Sequence, residues 1–252
     1  MHFSSASCRV LFFCWVSLAC TAWAETVTPE QAEARALAVE MRSRPPQSDL
    51  HYRATLELRN TQGQRTRIPL VVETRLGVTN GGWVTRYQTL PGASEPAQTL
   101  VIVHDPAHPP RYRREATAGM AEIVPAQQST TPLFGSDFWL GDLGLEFLHW
   151  PDQRLIPAPR GNPLMIKGRA CKMLESRNPS GIPYSRVVSW VDNEFRSLIQ
   201  ADAYDASGKL LKRFGIGSFK KVDGVWLLKD MEMIDEQKET KTKLEFELKV
   251  AE

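Results

Sequence analysis

Thr240-Lys241-Thr242-Lys243-Leu244-Glu245-Phe246-Glu247-Leu248-Lys249-Val250 alternates almost without fault. Thr242, Leu244, Phe246 and Leu248 fall on one side, and Lys241, Lys243, Glu245 and Glu247 on the other. A period of two marks a strand with one buried and one wet face. The same pattern runs backwards through the chain. Residues 225–234, 209–219, 195–204, 185–192 and 170–175 read as strands, separated by Asp223-Gly224, Asp205-Ala206-Ser207-Gly208 and Asp192-Asn193-Glu194, all turn-forming sequences. Gly215 and Gly217 within one strand favour a sharp bend.

The N-terminal half repeats the theme. Residues 52–59 and 68–76 alternate, Asn80-Gly81-Gly82 signals a hairpin, and residues 83–90 return from it. Residues 99–104 (TLVIVH) are an apolar run that reads as a strand buried on both faces. Residues 111–114 and 120–124 suggest a broken hairpin. Ahead of the strands, Thr28, Pro29 and Gln31 form a helix start with a capping box, Ala34, Leu37, Ala38 and Met41 make one stripe, and Pro45-Pro46 ends it. This predicts ten or eleven antiparallel strands and two helical pieces. With so few helices the sheet must bury its apolar face by curling into a barrel or folding into a sandwich, and a barrel that helices do not fill leaves an apolar cavity.

The first 24 of the 252 residues read as an export signal. Arg9 supplies the positive charge, residues 10–20 an apolar run too short to span a bilayer, and Ala22-Trp23-Ala24 a cleavage site. Lipidation at Cys20 is the competing expectation. Removing the leader leaves Cys171 as the lone cysteine, thirty Lys and Arg, and twenty-nine Asp and Glu. That balance argues against electrostatic capture of nucleic acid. Residues 25–252 read as one β domain.

Catalytic and metal signatures are scarce. His104-Asp105-Pro106-Ala107-His108 is the one local cluster of metal-type ligands, and its prolines place it in a turn. Gly135-Ser136-Asp137 lacks the G-x-S-x-G spacing of a nucleophile elbow, so Ser136 and Asp137 read as a turn or helix cap. No phosphate loop or dinucleotide fingerprint occurs. No catalytic residue, cofactor or metal is expected. The segment 131–150 (TPLFGSDFWLGDLGLEFLHW) concentrates aromatic and leucine residues between three glycines, which fits either packed core or a movable lid over a cavity mouth.

Gly135-Ser136-Asp137-Phe138 followed by Asp142-Leu143, the strand 168–175, Tyr184-Ser185-Arg186-Val187-Val188-Ser189-Trp190-Val191-Asp192, then Tyr204-Asp205, Gly208-Lys209-Leu210-Leu211-Lys212, Asp223-Gly224-Val225-Trp226 and Lys241-Thr242, in that order, resemble the LolA-like outer-membrane lipoprotein-sorting proteins. The resemblance covers residue 133 to the C-terminus, and the N-terminal half by strand pattern alone. Trp139-Leu140-Gly141 departs from it, being less polar than the family pattern. It implies a mainly β fold, an antiparallel half-open barrel with a few capping helices, and a periplasmic carrier of acyl chains for lipoprotein sorting or lipid transport. It also implies partners among lipoprotein acyl chains, other lipids, and inner-membrane exporters of RND or ABC type. The alternative is a sensor or adaptor of an envelope export or stress system. Under the carrier reading the expected cavity wall is Leu56, Leu58, Leu70, Val72, Leu244, Phe246 and Leu248, with Phe138, Trp139, Leu143, Phe147 and Trp190 near its mouth.

Overall fold

The computed structural model describes residues 28–248, except 78–80, 93–96, 116–120, 126–127, 159–163 and 223. The expected export leader, Cys20, Asn80 and Asp223 therefore lie outside the described residues. Helix α1 (Pro29–Arg42) forms where the capping signals place it. The Gln31 N–H donates to Thr28 Oγ1 at 3.2 Å, and the Thr28 N–H to Gln31 Oε1 at 3.0 Å. These bonds satisfy two amide donors that the first helical turn otherwise leaves open. Ala34, Leu37, Ala38 and Met41 are its buried stripe.

Among the described residues fourteen strands follow. The first six are β1 (Leu50–Arg59), β2 (Arg65–Leu76), β3 (Trp83–Thr89), β4 (Thr99–His104), β5 (Arg111–Glu115) and β6 (Ala121–Val124). After an irregular stretch come β7 (Asp152–Ile156), β8 (Leu164–Ile166), β9 (Arg169–Arg177), β10 (Arg186–Asp192), β11 (Leu198–Tyr204), β12 (Leu210–Val222), β13 (Val225–Asp235) and β14 (Thr240–Phe246). They form a single antiparallel sheet in the order β6-β5-β4-β3-β2-β1-β14-β13-β12-β11-β10-β9-β7, with β8 beside β7 on the free edge of β9. The strand that closes the middle is the last one: β14 joins β1 with Leu56 opposite Leu244. Strands β6 and β7 do not pair, so the curled sheet stays open.

The expectation of ten or eleven strands is corrected to fourteen. β7 and β8 went unread because Asp-Gln-Arg-Leu-Ile and Leu-Met-Ile have no alternation to detect; β9 supplies their ladder partners. The strand expected from residue 195 starts instead at Leu198. There the Asp192 carboxylate accepts the Glu194 and Phe195 N–H groups at 2.8 Å, and Arg196 adopts φ +53°, which makes a turn of those residues. The bend expected near Gly215 and Gly217 is a bulge: the β12–β13 register slips between Ile216 and Ser218, leaving Gly217 unmatched.

Inner-face residues make two apolar clusters. Ala54, Leu56, Leu70, Val72, Tyr87, Ile102, Met231 and Leu244 meet Leu133, Phe138 and Leu140 in the first. In the second, the α1 stripe meets Phe147, Leu148, Leu174, Val187, Val191 and Ala201. Each fully buried leucine or phenylalanine contributes about 1.5–3 kcal/mol, so both halves of the sheet are held by the stretch between β6 and β7.

Helix α1 is tied to its neighbours through Arg42, which donates to the carbonyls of Leu148 (2.8 Å) and Pro106 (3.1 Å). Two histidines lie beside this junction. His104 stacks on Trp83 with ring centroids 4.6 Å apart, and burial, with His149 nearby, pulls its pKa down to about 4. Burial, with Arg42 next, likewise depresses His149 to about 4. Both groups take up protons in the unfolded chain near pH 6.5 but resist them when folded, so stability is complete above that pH. It falls as pH drops towards 4 and is flat below for these groups. Denaturant titrations at pH 7.5 and pH 5 are expected to differ by about 4 kcal/mol, about 2 from each histidine. The His104→Gln/His149→Gln double variant should flatten that difference.

Candidate functional site

The site is built by residues 133–150, which turn three times across the inner face. A 3-10 turn (Leu133–Gly135), the one-turn helix α2 (Leu140–Leu143) and a second 3-10 turn (Glu146–His149) replace any longer helix. Gly135 has φ +78°, open to glycine at little cost. Gly144 is required by space, since a Cβ there would come within 2.9 Å of Pro110 and of the Tyr112 hydroxyl. Leu133, Phe138, Leu140 and Leu148 are completely buried, so the segment is a wedge driven into the apolar face of the sheet.

Polar groups fix this wedge. The Thr240 and Thr242 hydroxyls of β14 donate to the two Asp137 carboxylate oxygens at 2.6 and 2.8 Å, and the Asp137 N–H donates back to Thr242 Oγ1 at 3.0 Å. Asp142 accepts the Trp139 N–H at 2.9 Å and the Tyr184 hydroxyl at 2.8 Å. Lys212 of β12, buried, donates to the Asp137 carbonyl at 2.6 Å and to Asp142 Oδ2 at 3.4 Å. Its ammonium also sits 3.3 Å from the centre of the Trp139 ring. Burial lowers the Lys212 pKa, with Asp142 opposing that shift. Burial raises the Tyr184 phenol, and Asp142 raises it further. A low-polarity surrounding strengthens each of these bonds and penalises the loss of any partner.

Beside the wedge, Trp139, Phe147, Trp150, Ile182, Pro183 and Tyr184 line a mostly apolar pocket of about 560 Å³. Trp139 stacks on Tyr184 at 5.1 Å, and Phe147 meets Trp150 edge-on at 6.5 Å. Glu146 also lines the pocket. Burial raises its pKa, opposed by the Tyr112 hydroxyl, which donates to it at 3.1 Å. Asp142, Phe147 and Tyr184 also border a second, smaller space of about 30 Å³, lined further by Leu145, Val187, Ala201, Phe214 and Met233. Those three residues border both spaces and form the partition between them.

The expected cavity wall is distributed as follows. Leu56, Leu70, Val72, Phe138 and Leu244 are together in the first apolar cluster, with Leu58, Leu143 and Phe246 packed against it. Phe147 belongs to the second cluster and Trp139 packs on it. Leu248 lies just beyond the end of β14, is buried, and borders a groove on the outer face. Trp190 is on the face of β10 opposite Val187 and Val191, which join the second cluster. The clamp residues Asp142, Tyr184 and Lys212 were not expected as a site. A signal was present in Lys212: a charge among Leu210, Leu211 and Phe214 on a strand whose inner positions are otherwise apolar.

The outer turn with His104 and His108 makes local bonds. Asp105 accepts the Ala107 N–H at 2.9 Å and lies 3.0 Å from the His108 ring. Among the described residues no three metal-type side chains converge.

An open antiparallel sheet curled round an apolar inner face, with short helical pieces laid across it, is the LolA-like architecture. A DUF1329 family protein from Desulfovibrio piger superposes with a TM-score of 0.70 at 17% identity, over 87% of this chain and 92% of that one. An outer-membrane lipoprotein-sorting protein domain from Vibrio parahaemolyticus, so described putatively, gives 0.70 at 17% over 86% and 92%. A LolA superfamily protein from Nitrosomonas europaea gives 0.58 at 16% over 89% and 95%. Residues 117–250 match a "-like" family model described as "Uncharacterized protein". No curated protein matches the chain in sequence. The chain belongs to the family whose model covers residues 117–250, and its fold is that of the LolA-like structures.

Proposed function

We propose that this protein is a periplasmic binder and carrier of acyl chains, serving lipoprotein sorting or lipid transport towards the outer membrane. The observation that carries the reading is the aromatic pocket beside the wedge, backed by the apolar inner face. An acyl chain needs little else: each buried methylene contributes about 0.8 kcal/mol without any polar contact. Trp150 and Ile182 offer the first apolar surface, and Phe147 and Tyr184 stand between that entrance and the smaller space behind. The export leader fits a periplasmic site of action. An inner-membrane exporter of RND or ABC type is the expected donor, and the work is binding rather than chemistry.

Native mass spectrometry with lipid extraction, on protein purified after export, tests the reading. Adducts of acyl-chain mass are expected, and Ile182→Asp should reduce acyl-chain affinity about tenfold by placing a charge on the entrance. Ile182 is exposed, so the variant should fold normally. A clean protein mass that stays unchanged after incubation with phospholipid and with an acylated peptide would sink the proposal.

A further inference from the structure

The hairpin of β12 and β13 outruns the sheet that holds it. β11 pairs with β12 no further than Gly215, and β14 pairs with β13 no further than Asp230. The pairs Phe219–Leu228, Lys220–Leu227, Lys221–Trp226 and Val222–Val225 continue past both neighbours. Four such pairs reach about 13 Å beyond the sheet. Three of the exposed large apolar side chains of the described residues sit on this tip: Trp226 at 64%, Phe219 at 45% and Val225 at 44%. Phe219 and Trp226 share one face of the ribbon and Val225 lies on the other, and exposed apolar side chains on a protruding ribbon mark a contact surface rather than a fold requirement.

Its charges identify the partner. Lys220, Lys221 and Lys229 are on the same ribbon. Lys220 and Lys229 also border a groove of about 810 Å³ on the outer face of β1, β2 and β14, whose lining carries seven Lys and Arg against three Glu. Some are paired: Arg65 and Arg67 with Glu57, Lys243 with Asp230, and Lys241 with Glu232. Counting Asp230 and Glu232 with the three Glu still leaves an excess of two positive charges. An aromatic tip flanked by lysines is complementary to the surface of an anionic bilayer. Tryptophan prefers the headgroup boundary, and lysines gain from anionic lipid within a Debye length. The outer edges of the ribbon carry backbone groups without strand partners among the described residues, so its depth is limited to the hydrated interface.

We infer that the β12–β13 ribbon tip, with the basic outer groove behind it, docks this protein reversibly on anionic phospholipid surfaces. This is separate from the acyl-chain pocket, which lies at residues 139–150 and 178–184. The test is co-sedimentation with vesicles of equal phosphatidylglycerol and phosphatidylcholine, compared with pure phosphatidylcholine, at low and high salt. Binding is expected to the first only, and to weaken with salt. Trp226→Ser should lower the partition coefficient about tenfold, and Lys220→Glu/Lys221→Glu about tenfold or more. Both should keep their affinity for a fluorescent fatty acid in vesicle-free solution, so a failure here is distinct from a failure of the carrier reading. Equal binding to both vesicle types, no binding to either, or undiminished binding by Trp226→Ser would overturn the inference. If a variant misfolds, brominated-lipid quenching decides between the unaltered chain and Trp226→Phe: a larger loss of emission in the former supports docking, and equal loss refutes it.

Discussion

Lys212→Ala is expected to lower the unfolding free energy by about 3–5 kcal/mol, the usual cost of removing one member of a buried, hydrogen-bonded charge pair. The side chain is 1% exposed, and its ammonium reaches the Asp137 carbonyl, the Asp142 carboxylate and the face of Trp139 at once. Without it, Asp142 keeps its bonds from the Trp139 N–H and the Tyr184 hydroxyl but loses its counter-charge. Urea denaturation measures the loss. Lys212→Met combined with Asp142→Asn removes both charges and keeps the volume: the amide oxygen can accept the Trp139 N–H in place of Oδ2, the amide NH2 can donate to the Tyr184 hydroxyl in place of Oδ1, and no charge is left buried, so the double variant should recover at least half of the deficit. Full recovery by Lys212→Met alone, with Asp142 still ionised, would mean that the lysine acts by filling space, and the electrostatic account of the clamp would fail.

That clamp also shows what the chain's letters conveyed and what they could not. Strand alternation in 52–59, 68–76 and 240–250 located the inner face, because a period of two is a local property of consecutive residues. The residues that carry the family resemblance, Asp137, Asp142, Tyr184, Lys212 and Thr242, lie far apart in the chain and have no local pattern. Their common purpose appears only when β14 closes against β1 and brings Thr242 under Asp137, 105 residues away. Residues 131–150 left core and lid both open for the same reason. Their composition suits either, and it is the zero exposure of Leu133, Phe138 and Leu140 that places them in the core of this state. Leu248 and Trp190 stand apart from both apolar clusters: Leu248 lies past the end of β14, and Trp190 sits on the face of β10 opposite Val187 and Val191.

Phe138→Ala addresses whether the wedge and a ligand compete for the same space. The ring is fully buried among Leu56, Leu70 and Leu244, and its backbone is already committed: the carbonyl accepts the Leu133 N–H at 2.8 Å and the N–H donates to Ser136 Oγ at 3.2 Å. Backbone anchoring leaves little freedom to collapse into the void, so the loss should sit in the range of about 3–5 kcal/mol for such truncations. For a chain of this size that is a fall in melting temperature of roughly 10 °C or more. The void itself is lined by leucine and valine and suits hydrocarbon. If acyl chains reach the inner face by displacing residues 133–140, the variant should bind them more tightly, by about fourfold for each methylene that enters the vacated volume. Ligand should then restore more thermal stability to the variant than it adds to the parent. Lost stability with unchanged affinity would confine the acyl chain to the pocket of Trp139, Phe147 and Trp150, and make the wedge a fixed part of the core.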